Sequence, residues 1–179
     1  TPDIAETAAA LGFEVLLHMP MAAEGGEAHP NELRPDMTPD AIRAATEAAL
    51  AAVPQAAGVN NHRGSLFTAD RDALGAFFDS IEAAGLFFVD SRTTPDTLAY
   101  AVARVRGVPA AERDVFLDHE AGRGTVAAQF RLLIARAQAE GRAIGIGHLR
   151  ASTLEALATL LPTLGEAGVE LVHVSELVQ

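Results

Sequence analysis

Phe13-Glu14-Val15-Leu16-Leu17-His18 decides how the rest of the chain is read: a short apolar run stopped by a polar side chain able to bind a metal. The pattern recurs. Ala57-Gly58-Val59 runs into Asn60-Asn61-His62, and Leu86-Phe87-Phe88-Val89 into Asp90-Ser91-Arg92. Val115-Phe116-Leu117 runs into Asp118-His119, and Ile144-Gly145-Ile146-Gly147 into His148. Ala-rich stretches with helical spacing lie between these runs. Strands that alternate with helices and end in reactive side chains describe a (β/α) barrel or an open α/β sheet. In both, the site lies at the carboxyl ends of the strands.

Outward from these runs the chain divides as follows. Thr1-Pro2-Asp3 reads as a loop and N-cap before a helix over 4–11, and strand 13–17 comes next. A polar loop from Met19 to Met37 carries Gly25-Gly26, Pro30 and Pro35; loops of that length at a strand end are commonly functional. Thr38-Pro39-Asp40 opens a helix with Ile42, Ala45, Ala49 and Leu50 as its apolar stripe, and Val53-Pro54 ends it. After strand 57–60, Thr68-Ala69-Asp70-Arg71-Asp72 caps a helix with Leu74, Phe77, Phe78 and Ile81 on one face. Strand 86–89 precedes a helix from Thr94-Pro95-Asp96 with Leu98, Val102 and Val105 inward. Strand 115–117, a helix over 125–140 with Phe130, Leu133 and Ile134 inward, strand 143–147, helix 153–161 and strand 169–174 complete the order. Six strands make an incomplete barrel within a single domain over 1–179. The abrupt start at Thr1 sets the expectation that one or two strands lie upstream.

Composition narrows the function classes. A chain of 179 residues, 49% of them apolar, is long enough for a real core and too apolar for disorder. A formal net charge of −11 repels phosphate backbones and argues against nucleic acid as a partner. With no cysteine, disulfides and thiolate metal sites are excluded. Aromatic residues are only 5% and Trp is absent, which argues against a wide sugar-stacking platform. No apolar run approaches the length of a membrane span.

The strand ends carry the chemistry. His18 either ligates a metal through a neutral imidazole or bonds to a loop carbonyl. Asn60-Asn61-His62-Arg63-Gly64-Ser65 is the densest polar cluster. Its Asn side chains suit orienting an imidazole or holding a substrate carbonyl, and Gly64 admits close backbone approach; the plainer reading is an Asx-rich turn. Asp90 and Arg92 set an acid and a guanidinium at one strand end, to fix a His, bind an anion or form a structural ion pair. Asp118 suits the support of a ligating His, whereas Asp114 sits at the opposite end of its strand and reads as structural. His148 follows two glycines and is placed as a general acid; His29, His119 and His173 read as structural or loop residues. A Gly-x-Ser-x-Gly elbow and a Walker loop are both missing. A His/Asp-rich site without Cys remains, suited to Zn²⁺ or another divalent ion that activates water.

Five of these segments, in this order, resemble the divergent polysaccharide deacetylase family, relatives of the NodB-type carbohydrate esterases. They are Gly12 to Met21, Gly58 to Ser65 with Thr68, Gly85 to Thr94, Arg113 to Asp118 and Ala143 to His148. The resemblance implies an irregular (β/α)7-like barrel in an extracytoplasmic, envelope-associated protein. It implies hydrolysis of N- or O-acetyl groups on an envelope polysaccharide, with a divalent ion, or else a non-catalytic descendant that binds glycan or a cell-wall protein. By position, His18 and His62 are its metal-ligand candidates and His148 its general acid, with Asp90 and Arg92 in support. Asn60, Asn61, Ser65 and Asp118 fall on the substrate side. The chain departs from the pattern twice. The acidic pair of the family's first strand does not occur in it, and Ala22 stands where a His-x3-His pair would have its second His.

Overall fold

The computed structural model describes residues 2–25, 27–120 and 122–179. The expected cap at Thr1 and the Gly26 of the loop's glycine pair lie outside the described residues. The chain forms two compact units: residues up to Glu112 together with His173–Gln179, and Arg113–Val172.

The first unit contains α1 (Pro2–Ala10), β1 (Val15–Met21), α2 (Pro39–Ala51), β2 (Ala56–Arg63), α3 (Arg71–Ala83), β3 (Phe87–Asp90), α4 (Ala99–Val105) and β4 (Ala110–Glu112). All four strands are parallel, in the order β1-β2-β3-β4. Caps place α2 and α3 where the sequence predicts. Thr38 Oγ1 accepts the Ala41 N–H with Pro39 in the first turn of α2, and the Asp70 carboxylate accepts the Asp72 and Ala73 N–H groups at the start of α3. Side-chain alternation along β1 buries Leu17, Met19 and Met21 and leaves His18 exposed. The buried side packs with Val59, Phe88, Ile42 and the α3 face of Leu74, Phe77, Phe78 and Ile81. There Phe88 meets Phe77 and Phe78 edge-on, at centroid separations of 5.8 and 5.1 Å.

The second unit contains β5 (Val115–Phe116), α5 (Arg123–Glu140), β6 (Gly145–Ile146) and α6 (Ala151–Leu160), with β5 and β6 parallel. Val115, Leu117 and Phe130 form its core, against which Leu133, Ile134 and Leu157 pack. Gly141 closes α5 in the left-handed conformation, as a helix-ending glycine does. An α/β fold of parallel strands and helices is therefore present, and neither sheet closes on itself among the described residues.

Several boundaries differ from the sequence reading, each for a local reason. The segment 169–174 is not a strand: it meets no partner strand, and the chain is anchored further on, where Gln179 exchanges two backbone hydrogen bonds with Ala110. Ala110–Glu112 is a strand despite its Ala-rich sequence, because it pairs with Phe88, Val89 and Asp90. Helix α4 starts at Ala99 rather than after Thr94, and its buried residues are Ala99, Val102 and Ala103, with Val105 exposed. Strands β1 and β2 run on through His18 to Met21 and through Asn60 to Arg63, because each continues to pair with the other.

Gly58 lies beneath the Phe87 ring, and a Cβ there would clash with that ring. Gly58→Ala is expected to cost about 1–3 kcal/mol by overpacking, lowering Tm by roughly 2–10 °C. Adding Phe87→Leu should return part of the loss; thermal denaturation of the single and double variants checks it.

Candidate functional site

The parallel register sets His18 opposite Asn60 and Pro20 opposite His62. Side chains alternate, so His18, Asn60 and His62 share the face opposite the Leu17–Met19–Val59 core, and Asn61 turns to the core side. His18 Nδ1 lies 2.9 Å from Asn60 Oδ1, and His18 Nε2 lies 3.0 Å from His62 Nδ1. The two imidazoles meet edge to face, with centroids 4.8 Å apart. Asn60 Nδ2 reaches Ser91 Oγ at 3.2 Å. Three sequence-predicted residues thus form one contiguous constellation.

Asn61 is buried and both ends of its amide are used: Nδ2 donates to the Arg63 carbonyl and Oδ1 accepts the Ser91 N–H, each at 2.8 Å. The Arg63 carbonyl also accepts the Thr93 hydroxyl at 2.8 Å. Arg63 has a φ of 59° and Gly64 one of 101°, so β2 leaves the sheet through a left-handed turn that costs a non-glycine residue of order 1–3 kcal/mol. The two bonds to the Arg63 carbonyl hold that turn. The Arg63 guanidinium then donates to the Gly25 and Glu27 carbonyls, and Ser65 Oγ accepts the Glu24 N–H at 2.9 Å. Both residues fasten the loop that follows β1.

Asp90 is fully buried at the end of β3 and its oxygens are occupied. Oδ1 accepts the Arg92 N–H at 2.8 Å; Oδ2 accepts the Thr97 hydroxyl at 2.8 Å and the Tyr100 N–H at 3.3 Å. It therefore satisfies a first-turn N–H of α4 from another element, which is why that helix begins late. The Arg92 guanidinium pairs with Glu112 at 2.6 Å. The roles of Thr97 and Glu112 were hidden in the sequence. The register of Asp90 against Glu112 brings Glu112 near, and that register becomes readable only once β4 is recognised as a strand.

In the second unit Asp118, only 1% exposed, organises its surroundings. Oδ2 accepts the His148 N–H at 2.9 Å and the Thr153 hydroxyl at 2.8 Å, while Oδ1 faces His148 Nδ1 at 3.0 Å. Arg150 donates to the Asp118 carbonyl at 2.9 Å. The His148 side chain is half exposed and packs beside Phe116, with ring centroids 5.5 Å apart. A carboxylate facing Nδ1 accepts a hydrogen bond from that nitrogen and orients the ring with Nε2 away from Asp118. Burial by itself raises the Asp118 pKa; the His148 backbone N–H, the Thr153 hydroxyl and the His148 ring outweigh it, and the net shift is downward from 3.8. Asp114 is structural, accepting the Ile144 N–H at 2.7 Å and pairing with Arg136.

A depressed carboxylate pKa contributes stability that is present above its ordinary value of 3.8 and is lost as pH falls through the lower folded value. Asp118→Asn is expected to cost about 1–3 kcal/mol near neutral pH, because donors that faced the carboxylate lose an acceptor. The Tm difference between wild type and variant should shrink below pH 3.8; a difference that grew with acid would contradict the assignment.

Comparison with known proteins gives a consistent result. The family model described as divergent polysaccharide deacetylase matches residues 1–178. The uncharacterized protein YibQ of Escherichia coli (strain K12) is 35% identical over 151 residues, covering 84% of this chain and 47% of that protein. An uncharacterized protein of Haemophilus influenzae (strain ATCC 51907 / DSM 11121 / KW20 / Rd) is 33% identical over 156 residues, covering 87% of this chain and 56% of that protein. The chain thus spans about half the length of the curated relatives it matches. The crystal structure of the uncharacterized protein ATU2773 from Agrobacterium tumefaciens C58 matches with a TM-score of 0.93 at 26% identity, covering 97% of this chain and 72% of that one. The chain belongs to the divergent polysaccharide deacetylase family.

Proposed function

We propose that this domain is a metal-dependent hydrolase that removes N- or O-acetyl groups from an envelope polysaccharide, in an extracytoplasmic protein. The observation that carries the reading is the imidazole pair, His18 Nε2 and His62 Nδ1 facing each other at 3.0 Å on the same face of adjacent strands β1 and β2. Imidazole nitrogens are suitable donors for Zn²⁺ and similar ions. His18 and His62 would hold the ion, which supplies a nucleophile by lowering the pKa of bound water. Among the described residues no group of three or more His, Cys, Asp or Glu could hold a metal, so this pair accounts for two protein donors.

The remaining roles fall to the chain's own side chains. By position in the family pattern His148 is the general-acid candidate, and Asp118 faces its Nδ1 at 3.0 Å. Asn60 orients His18, and the exposed Arg92–Glu112 pair keeps a guanidinium at the end of β3. A second reading, a descendant that binds glycan or a cell-wall protein without turnover, is favoured by the two-donor count, because a catalytic zinc usually has three protein ligands.

On the full-length protein, near-stoichiometric divalent metal is expected by elemental analysis, and acetate release from acetylated glycan is expected with it. His62→Ala should lose both. His148→Ala should keep the metal and lose acetate release by about 10²–10⁴-fold. Acetate release that survives in both variants would sink the hydrolase reading. A metal-loaded protein that binds glycan without releasing acetate would establish the binding reading in its place.

A further inference from the structure

We infer that Asn60 is a positioning residue that locks His18 in a single tautomer, and that the histidine pair is asymmetric as a result; this rests on the reading of His18 and His62 as the cation-binding pair. The buried Asn61 amide accepts the Ser91 N–H at 2.8 Å and so pins the Ser91 backbone. The Ser91 hydroxyl oxygen then stands 3.2 Å from Asn60 Nδ2 and accepts a hydrogen bond from it. That bond sets the Asn60 amide with Oδ1 toward His18 Nδ1, at 2.9 Å. An amide oxygen only accepts, so Nδ1 of His18 carries the proton. A neutral imidazole has one such proton, and His18 Nε2 therefore presents a lone pair.

The consequence falls on His62. Its Nδ1 lies 3.0 Å from that lone pair, so in the cation-free protein His62 Nδ1 is the donor. His18 is then ready to ligate through Nε2 without changing its protonation. His62 must first transfer its proton from Nδ1 to Nε2. One member of the pair is fixed by the protein and the other is switched by the cation. Asn60 touches no reacting atom in this scheme and acts through His18, as partners behind ligating histidines do.

The test reads tautomers directly, without activity. In ¹⁵N-labelled protein held with chelator at about pH 8.5, above the usual imidazole range, long-range ¹H–¹⁵N correlation should show Nδ1–H for both His18 and His62. Asn60→Ala should release His18 into a mixture that includes Nε2–H, and Asn60→Asp, which keeps an acceptor oxygen, should preserve Nδ1–H. Ser91→Ala should give the mixture as well, by freeing the Asn60 amide. On zinc addition to the wild type, His62 should move to Nε2–H while His18 keeps Nδ1–H, and Asn60→Ala should weaken zinc binding about 10–100-fold. An unchanged His18 tautomer in folded Asn60→Ala, or loss of Nδ1–H in folded Asn60→Asp, overturns the inference. Zinc that fails to perturb either histidine overturns the cation reading instead and leaves the cation-free tautomer assignment standing.

Discussion

The parallel pairing of β1 with β2 is the constraint on which the site depends. With His18 opposite Asn60 and Pro20 opposite His62, side-chain alternation decides which residues meet on one face and which enter the core. A one-residue slip of β1 against β2 would turn His18 inward, expose Met19 and part His18 from Asn60. The buried side resists that slip, because Met19, Met21 and Val59 belong to the same buried core as the phenylalanines of α3 and β3. Core packing therefore supplies the precision of the polar face without touching it.

Around this pairing, buried polar residues hold the strand ends. Asn61 binds the turn after β2 to the turn after β3, and Asp90 binds the end of β3 to the first turn of α4. Asp118 does the equivalent in the second unit, joining the end of β5 to the segment after β6. Each is nearly or fully buried with its hydrogen-bonding atoms matched by donors and acceptors, the condition under which burying such groups is affordable. Arg63 and Arg92 both adopt left-handed backbone at these ends, and each turn is held by one of the same residues: Arg63 by Asn61 with Thr93, Arg92 by Asp90.

The alternation of apolar runs and helices made the α/β class legible, and polar residues closing each run pointed to the strand ends. Caps at Thr38 and Asp70 and the helix face of Leu74, Phe77, Phe78 and Ile81 were equally readable, since each is a local signal. Non-local effects were not. β4 exists through pairing with β3 rather than through β propensity, and the late start of α4 reflects a carboxylate nine residues upstream of the helix. The extent of β1 and β2 also escaped the sequence. Reading β2 as ending at Asn60 hid the fact that Asn60 and Asn61 face opposite ways, so that one binds an imidazole and the other is buried.

The proposed site requires His18 and His62 to bind one divalent cation between them. A zinc-edge anomalous difference map from crystals grown with Zn²⁺ tests it most directly. A peak bonded to both His18 Nε2 and His62 Nδ1 is expected. A well-ordered histidine pair still hydrogen-bonded to each other, with zinc elsewhere or nowhere in the map, would contradict it.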